Sequence, residues 1–489
     1  MAGETILVID AGTTSTRAML FAADGTLLGV EARELTQSYP RPGWVEHDPE
    51  EIWRATLACA GRLAEGRRGI AAIGISNQRE TVVFWSKRTG RALAPAIVWQ
   101  DRRTAEDCAR LKDAGQEPAL QAKTGLLLDP YFSASKIAWA RANWHDVAAA
   151  GDDLAVGTVE SWLVFKLTGG LHVSDATNAA RTALMDIHTG RWDDGLCALF
   201  DVPRAALPEI VDCAGPIGET RALGEAIPIA GMAGDQQAAA IGQACLSPGD
   251  TKATYGTGAF VLTNTGAAAP VSTNRLLTTI AWQIGGSRAY ALEGSVFVAG
   301  SLVKWLRDSL GLVESAAETE TLARADPDNG GVYLVPALVG LGAPWWRPEA
   351  RGALTGLSFA ATRAHVVRAA LEAQSYQTLD LMTAFAADGA PWESLRIDGG
   401  MAANGWLAQD LADLLDIAVE RPAFIETTAL GAAMLAGVGA GLFASLEAAA
   451  AMRGRVERFA PALDAAARAA RIEGWRAAVA RVLGAAPAA

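Results

Sequence analysis

The stretch Thr5–Gly29 reads T-I-L-V-I-D-A-G-T-T-S-T-R-A-M-L-F-A-A-D-G-T-L-L-G. Two turn clusters, D-A-G-T-T-S and D-G, separate three apolar runs, which predicts strand, tight turn, strand, turn, strand. Half a chain later Gly249–Gly266 repeats the plan, with Thr254-Tyr255-Gly256-Thr257-Gly258 at its tip. Two hairpins tipped with glycine and threonine predict two similar lobes. Pro and Gly punctuate the pattern at Leu246-Ser247-Pro248-Gly249, which places the lobes at 1–246 and 247–489. Further strands are expected at Ala72–Ile75, Ile227–Ile229 and Leu395–Ile397. Helices are expected at Glu50–Arg62, Ser133–Asn143, Val298–Leu310 and Ala364–Phe385, from their 3.6-residue apolar spacing. The mixture predicts an α/β fold. The alanine-rich tail from Ser445 onward reads as surface helices without chemistry.

Composition narrows the function. The 489 residues are 51% hydrophobic and 20% charged, as in globular chains with large cores. A length prior of roughly 150 residues per domain gives about three domains, or two large ones. The net charge of -12 argues against a nucleic-acid partner. No apolar run of about 18 residues is present, so no membrane insertion is expected. The N-terminus enters the first strand without a basic leader. Five scattered cysteines without a C-x-x-C read as free thiols in a reducing compartment, which points to the cytoplasm. The five histidines have no metal spacing. There is no G-x-x-x-x-G-K-[ST], no G-x-G-x-x-G and no H-E-x-x-H.

Five clusters offer chemistry. In the first turn, Gly12 permits tight geometry, and the hydroxyls and backbone N–H groups of Thr13, Thr14 and Ser15 suit phosphate oxygens. Arg17 adds a cation there, and Asp10 suits a Mg²⁺ water shell. The G-T-G turn around Thr257 offers a second close approach of backbone to ligand. Asp398-Gly399-Gly400 ends a strand with room for a flat ring, and Asn404 follows with a base-binding or capping role. Gly234-Asp235-Gln236-Gln237 places a carboxylate at a strand end, as a general base or as a helix cap. Asn77-Gln78-Arg79-Glu80, with Trp99 and Tyr131 as apolar walls, suits the donors and acceptors of a small polyol. Each stretch alone also reads as an ordinary turn or a solvated loop.

Taken in order, the segments I-D-A-G-T-T-S-T-R, G-W-V-E-H-D-P-E-E-I-W, S-N-Q-R-E-T, V-W-Q-D-R-R-T, D-P-Y-F-S, I-A-G-M-A-G-D-Q-Q, T-Y-G-T-G-A-F, G-L-G-A-P-W-W, R-I-D-G-G-M-A-A-N and T-A-L-G-A-A resemble the FGGY carbohydrate kinases over nearly the whole chain. N-Q-R-E with G-D-Q-Q resembles the branch that acts on glycerol. The resemblance implies two actin-like (ribonuclease H-like) α/β domains flanking a cleft. It implies transfer of the γ-phosphoryl of MgATP to the 3-hydroxyl of glycerol, the entry step of glycerol catabolism, giving sn-glycerol 3-phosphate and ADP. By position, Arg79, Glu80, Trp99, Tyr131, Asp235, Gln236 and Phe260 would line the polyol site, with Asp235 as general base. Thr13, Thr14, Ser15, Arg17, Thr257, Gly300, Gly400 and Asn404 would contact nucleotide, and Asp10 would hold Mg²⁺ through water. A homodimer or homotetramer is implied as well.

Departures are informative. Lys304 stands where many members carry glutamine near the adenine. The short segment Glu219–Ala226 lacks the Gly-Arg pair by which some bacterial members bind fructose 1,6-bisphosphate. Arg221 falls where others carry a phosphorylatable histidine, so neither control is expected. Two rivals stay open: a kinase of another polyol or ketose, and an actin-like structural or chaperone ATPase lacking a polyol pocket.

Overall fold

The computed structural model describes residues 4–345, 347 and 349–484. Trp346 of the G-L-G-A-P-W-W segment lies outside the described residues, as do both chain ends of the two lobes assigned above. Two large sheets organise the molecule. The first is built from β1 (Thr5–Ala11), β2 (Ser15–Ala22), β3 (Leu27–Glu34), β4 (Ile70–Asn77), β5 (Ala214–Thr220) and β6 (Ile227–Gly234), in the order β5-β6-β4-β1-β2-β3. The second holds β7 (Asp250–Tyr255), β8 (Ala259–Gly266), β9 (Leu277–Ile284), β10 (Ser287–Val296), β11 (Ser394–Asp398), β12 (Ala418–Pro422) and β13 (Val456–Phe459), in the order β9-β10-β8-β7-β11-β12-β13. The plans match. An antiparallel hairpin, β1–β2 or β7–β8, is followed by two parallel strands, β4 and β6 or β11 and β12. An antiparallel edge strand, β5 or β13, completes each run. The two similar hairpins read from the sequence are the first two strands of these sheets.

Local chemistry explains the elements that hold the site. Ile6–Ile9 are fully buried, as expected for a strand covered on both faces. Helix α1 (Pro49–Ala64) begins where the Asp48 carboxylate accepts from Glu50 N at 2.9 Å, with Pro49 in its first turn. Helix α2 (Ser133–Asn143) has the bounds expected from spacing. Helix α3 (Asp235–Gly242) leaves β6, α4 (Gly300–Asp308) follows β10, and α5 (Arg363–Ala387) backs the second sheet. Then come α6 (Gly405–Leu415), α7 (Thr427–Gly439) and α8 (Ala465–Val482).

Two features depart from expectation. The tail after Ser445 is more than surface helix. It supplies edge strand β13, and α8 buries Trp475 in a stack on Tyr376 with ring centroids 5.1 Å apart. Charge and alanine hid one strand and one buried ring. Second, α7 lies in the second half of the chain yet covers the first sheet. Its Ala429–Ala436 share one core with Ile6, Val8, Met19 and Phe21. Gly74 makes that approach direct: a Cβ there would stand 2.3 Å from the Ala432 carbonyl oxygen.

Candidate active site

Strand β4 ends in Asn77, and the chain then turns sharply. Glu80 adopts φ 60, a left-handed conformation uncommon for a glutamate and frequent at functional sites. Its carbonyl accepts from Ser133 Oγ at 3.0 Å. The turn buries Arg79 and Glu80 and points Asn77 and Gln78 elsewhere. Asn77 Nδ2 donates to Glu160 and Asn178, and Gln78 Nε2 to the Gly12 carbonyl, so two members of the expected donor–acceptor run serve the scaffold.

Arg79 gathers the other polyol candidates. Its Nη2 lies 3.4 Å from Tyr131 Oη and its Nε 3.3 Å from Asp235 Oδ1. Tyr131 is fixed by its own loop. Asp129 Oδ1 accepts from Tyr131 N, and the buried Lys136 ammonium donates to the carbonyls of Pro130, Tyr131 and Phe132. Trp99 packs edge-on to Tyr131 with centroids 5.7 Å apart, and its indole N–H donates to Thr13 Oγ1 at 2.9 Å. This indole therefore ties the polyol candidates to the β1–β2 turn, the first candidate for phosphate. Asp235 is the first residue of α3, with Gly234 as the cap, and Asp235 Oδ1 accepts from Gln236 N. Thr177 Oγ1 accepts from Gly234 N at 2.9 Å and holds the backbone beneath the carboxylate. Burial pushes the Asp235 carboxyl above its ordinary range, while Arg79 and Lys252 oppose that.

The second sheet turns one face toward this group. Cross-strand partners share a face, so the pairs Lys252–Leu262, Thr254–Phe260, Leu262–Glu293 and Phe260–Ser295 line up together. Phe260 thus lies on the same side as Lys252 and Glu293. Lys252 Nζ is bonded to Gln236 Oε1, and Glu293 Oε2 takes Arg79 Nη1 at 2.5 Å. Arg181 Nη2 reaches Glu293 Oε1 at 2.8 Å, and its Nε reaches Glu80 Oε1 at 2.6 Å. Three cations, Arg79, Arg181 and Lys252, therefore meet three carboxylates, Glu80, Glu293 and Asp235. Burial disfavours the Glu293 carboxylate, yet Arg181 and Arg79 hold it down at about 2. Burial leaves the Glu80 carboxyl raised despite Arg79 and Arg181.

The nucleotide candidates fall in two groups. Thr13 and Thr14 form the β1–β2 turn, closed by Gly12 N donating to Ser15 O at 3.0 Å. Arg17 faces Asp10 across that hairpin at 2.6 Å and also meets Glu426, just before α7, at 2.7 Å. Burial raises the Asp10 carboxyl against the pull of Arg17. In the second half, Gly300 N donates to Gly256 O and Ser301 N to Thr257 O, joining the G-T-G turn to the start of α4. Gly400 opens a single 3₁₀ turn after β11. Asn404 caps α6: its Oδ1 accepts from Leu407 N and its Nδ2 donates to Thr319 Oγ1. Lys304 is exposed on α4. The Arg17–Glu426 pair ties the first of these groups to the segment that leads into α7.

Sequence reasoning missed Arg181, Lys252, Glu293 and Glu426. Lys252 and Glu293 each left a weak signal, a charged residue inside a strand that is buried over most of its length, D-T-K-A-T-Y and Y-A-L-E-G-S-V. Arg181 and Glu426 left none. No group of three or more His, Cys, Asp or Glu residues placed to bind a metal occurs among the described residues. No helix among them is long and apolar enough to cross a membrane.

Comparison with known proteins gives one answer. The model of the FGGY family of carbohydrate kinases, N-terminal domain, matches residues 5–242, and that of its C-terminal domain matches residues 251–440. A glycerol kinase of Rhodospirillum centenum is 54% identical over 492 residues, covering 99% of each chain. A glycerol kinase of Methylobacterium nodulans is 55% identical, covering 98% of each. The crystal structure of Plasmodium falciparum glycerol kinase with ADP superposes with a TM-score of 0.95 at 36% identity, covering 98% of each chain.

Proposed function

Because the chain belongs to the FGGY family of carbohydrate kinases, with full-length relatives named glycerol kinase, we infer that it is an ATP-dependent kinase that phosphorylates glycerol. It has the actin-like α/β fold of that family, built on two similar sheets. Glycerol and ATP are its substrates, and sn-glycerol 3-phosphate and ADP its products. The observation that best supports the site is Arg79, which brings Tyr131, Asp235 and the neighbouring Glu80 together at the end of β4.

In this reading Arg79 donates to one glycerol hydroxyl and Glu80 accepts from another, while Trp99 and Phe260 cover the carbon skeleton. Gln236 lies beside them, held by Lys252. Asp235 takes the proton of the 3-hydroxyl as its oxygen attacks the γ-phosphorus. Its contribution is alignment and charge rather than covalent chemistry. The hydroxyls and backbone amides of Thr13, Thr14 and Ser15 receive phosphate oxygens. Arg17 shifts from its carboxylates toward them. Thr257 and Gly300 face the phosphates from the other lobe, and Gly400 and Asn404 border the base. Closure of the lobes expels water, the competing nucleophile.

Magnesium fits this donor set. Mg²⁺ keeps most of its waters and needs few carboxylates, and Asp10 and Asp235, near enough to act on each other electrostatically, would offer two carboxylates to that water shell. Asp10 would hold it through water, and the ion would neutralise phosphate charge. The five buried, unpaired cysteines suit a reducing cytoplasm, where we place the enzyme.

The test is ADP release from MgATP with glycerol, erythritol, ribitol, xylitol, D-xylulose and gluconate. Strong turnover with glycerol alone is expected. A larger kcat/KM for another polyol would overturn the glycerol assignment of Arg79, Glu80 and Trp99. ATP hydrolysis indifferent to every polyol would favour the actin-like structural reading.

A further inference from the structure

We propose that Glu293, reaching from β10 in the second half of the chain, is a positioning residue for the polyol: it fixes the Arg79 guanidinium and, through Arg181, the Glu80 carboxylate. The inference rests on the reading of Arg79 and Glu80 as polyol ligands.

The four side chains form a closed ring of alternating charge. Glu293 Oε2 holds Arg79 Nη1 at 2.5 Å, and Glu293 Oε1 holds Arg181 Nη2 at 2.8 Å. Arg181 Nε holds Glu80 Oε1 at 2.6 Å, and Arg79 Nε closes the ring 3.9 Å from that same oxygen. All four side chains are at most 3% exposed. Arg79 and Glu80 are successive residues on a turn with a left-handed glutamate, so their backbone cannot set the spacing of two long side chains. The ring sets it. It also leaves hydrogen-bonding capacity on both side chains that the ring does not use. Glu80 Oε2 accepts no hydrogen bond among the described residues, and Arg79 Nη2 has only the long 3.4 Å contact to Tyr131. One unused acceptor and one weakly used donor thus remain, the pair that neighbouring hydroxyls require.

Glu293 is anchored well enough for the task. Its strand lies between β8 and β9, with Leu262 and Leu277 as its partners. The β9–β10 hairpin docks on the first half through Tyr290 Oη to the Ile187 carbonyl at 3.0 Å, and through Gln237 Nε2 to the Ile280 carbonyl at 3.2 Å. The polyol pocket is therefore completed by the opposite half at a place where the two halves are already joined.

The test compares wild type, Glu293→Gln and Glu293→Asp as full-length enzyme. The measurements are KM for glycerol at saturating MgATP, KM for ATP at saturating glycerol, melting temperature, and the acid limb of kcat/KM. The charged groups around Glu293 are Arg79, Arg181, Glu80 and Lys252, and those around Asp235 are Arg79, Lys252 and Asp10. Neutralising Glu293 frees the Arg79 charge to act on Asp235. Glu293→Gln should raise the glycerol KM at least about tenfold, leave the ATP KM within about twofold, and move the acid limb to lower pH. Glu293→Asp, which keeps the charge, should keep the acid limb in place with a smaller rise in KM. An unchanged glycerol KM in Glu293→Gln overturns the proposal. So does a lower melting temperature with both KM values raised alike and the acid limb unmoved. If Glu293→Gln does not fold, an unchanged glycerol KM in Glu293→Asp overturns it. The wild-type control separates the two ideas: no turnover with any polyol defeats the reading beneath the proposal, whereas turnover with a polyol other than glycerol lets the same comparison run on that polyol.

Discussion

Asp235 is where turnover should depend on one proton. Asp235→Asn keeps shape and loses basicity, so kcat should fall by at least about 10²-fold while nucleotide binding, followed by calorimetry, persists. Retained turnover would remove Asp235 from the base role. The pH profile carries a second expectation. The base works ionised, and burial raises its carboxyl, so kcat/KM should fall on acidification at a pH above that of an ordinary carboxylate. Arg79→Ala would leave Glu293 and Glu80 with Arg181 as the one cation they share, costing about 1–3 kcal/mol of stability, read as a lower melting temperature alongside lost glycerol saturation. At this scale the sequence singled out runs of polar residues, and of N-Q-R-E the structure gathers Arg79 and Glu80 near Asp235 while Asn77 and Gln78 bond to the scaffold. The sequence was silent on Arg181, because a single arginine in A-A-R-T acquires meaning only when β10 brings a carboxylate to it.

Elements were read well where periodicity was clean, and α2 and α5 are examples. Strand β13 was missed because V-E-R-F carries charge on an exposed sheet edge, where alternation is weak. Two contacts between elements lead to measurable outcomes. Helices α3 and α7 touch through backbone: a Cβ on Gly431 would stand 1.8 Å from the Ala238 carbonyl oxygen. Gly431→Ala must push the helices apart, so it should destabilise by about 1–3 kcal/mol in chemical denaturation. On the other side of the molecule, Asp380 of α5 accepts from the indole N–H groups of Trp345 and Trp475. Burial raises its carboxyl to about 6. Its folded value lies above its unfolded one, so the protonated group stabilises at low pH, and that contribution is lost as pH rises from about 4 through 6. Asp380→Asn keeps an acceptor without the titration. Its stability relative to wild type should therefore improve by about 1–3 kcal/mol between pH 4 and 7, and a pH-independent difference would contradict this.

At the scale of the whole molecule, the matched sheets follow from the two hairpins at Thr5 and Gly249, because each hairpin opens the same strand plan. We propose the lobes as 1–246 and 247–489, with α7 as the element that crosses between them. The crossing was invisible in the sequence. T-A-L-G-A-A-M-L-A-G is apolar all round, so its pattern names no particular sheet. Regulation belongs at this scale too. Glu219 and Arg221 pair with each other at 3.2 Å on the exposed end of β5. Titration with fructose 1,6-bisphosphate should leave activity unchanged, and clear inhibition would show an effector site that this segment does not suggest. The homodimer or homotetramer expected from the resemblance is open to sedimentation of the full chain.

The seating of α7 on the first sheet has a consequence for synthesis. A nascent chain emerging from the ribosome completes β1, β4 and β6 long before Thr427–Gly439 exists. At roughly 5–20 residues per second, the stretch of roughly 190 residues between Gly234 and Thr427 lasts about 10–40 s. For that interval Ile6, Val8, Met19 and Phe21 lack the helix that shares their core in the finished protein. Growing chains should therefore recruit a chaperone soon after the first lobe is made and release it only when the last fifth of the message has been read.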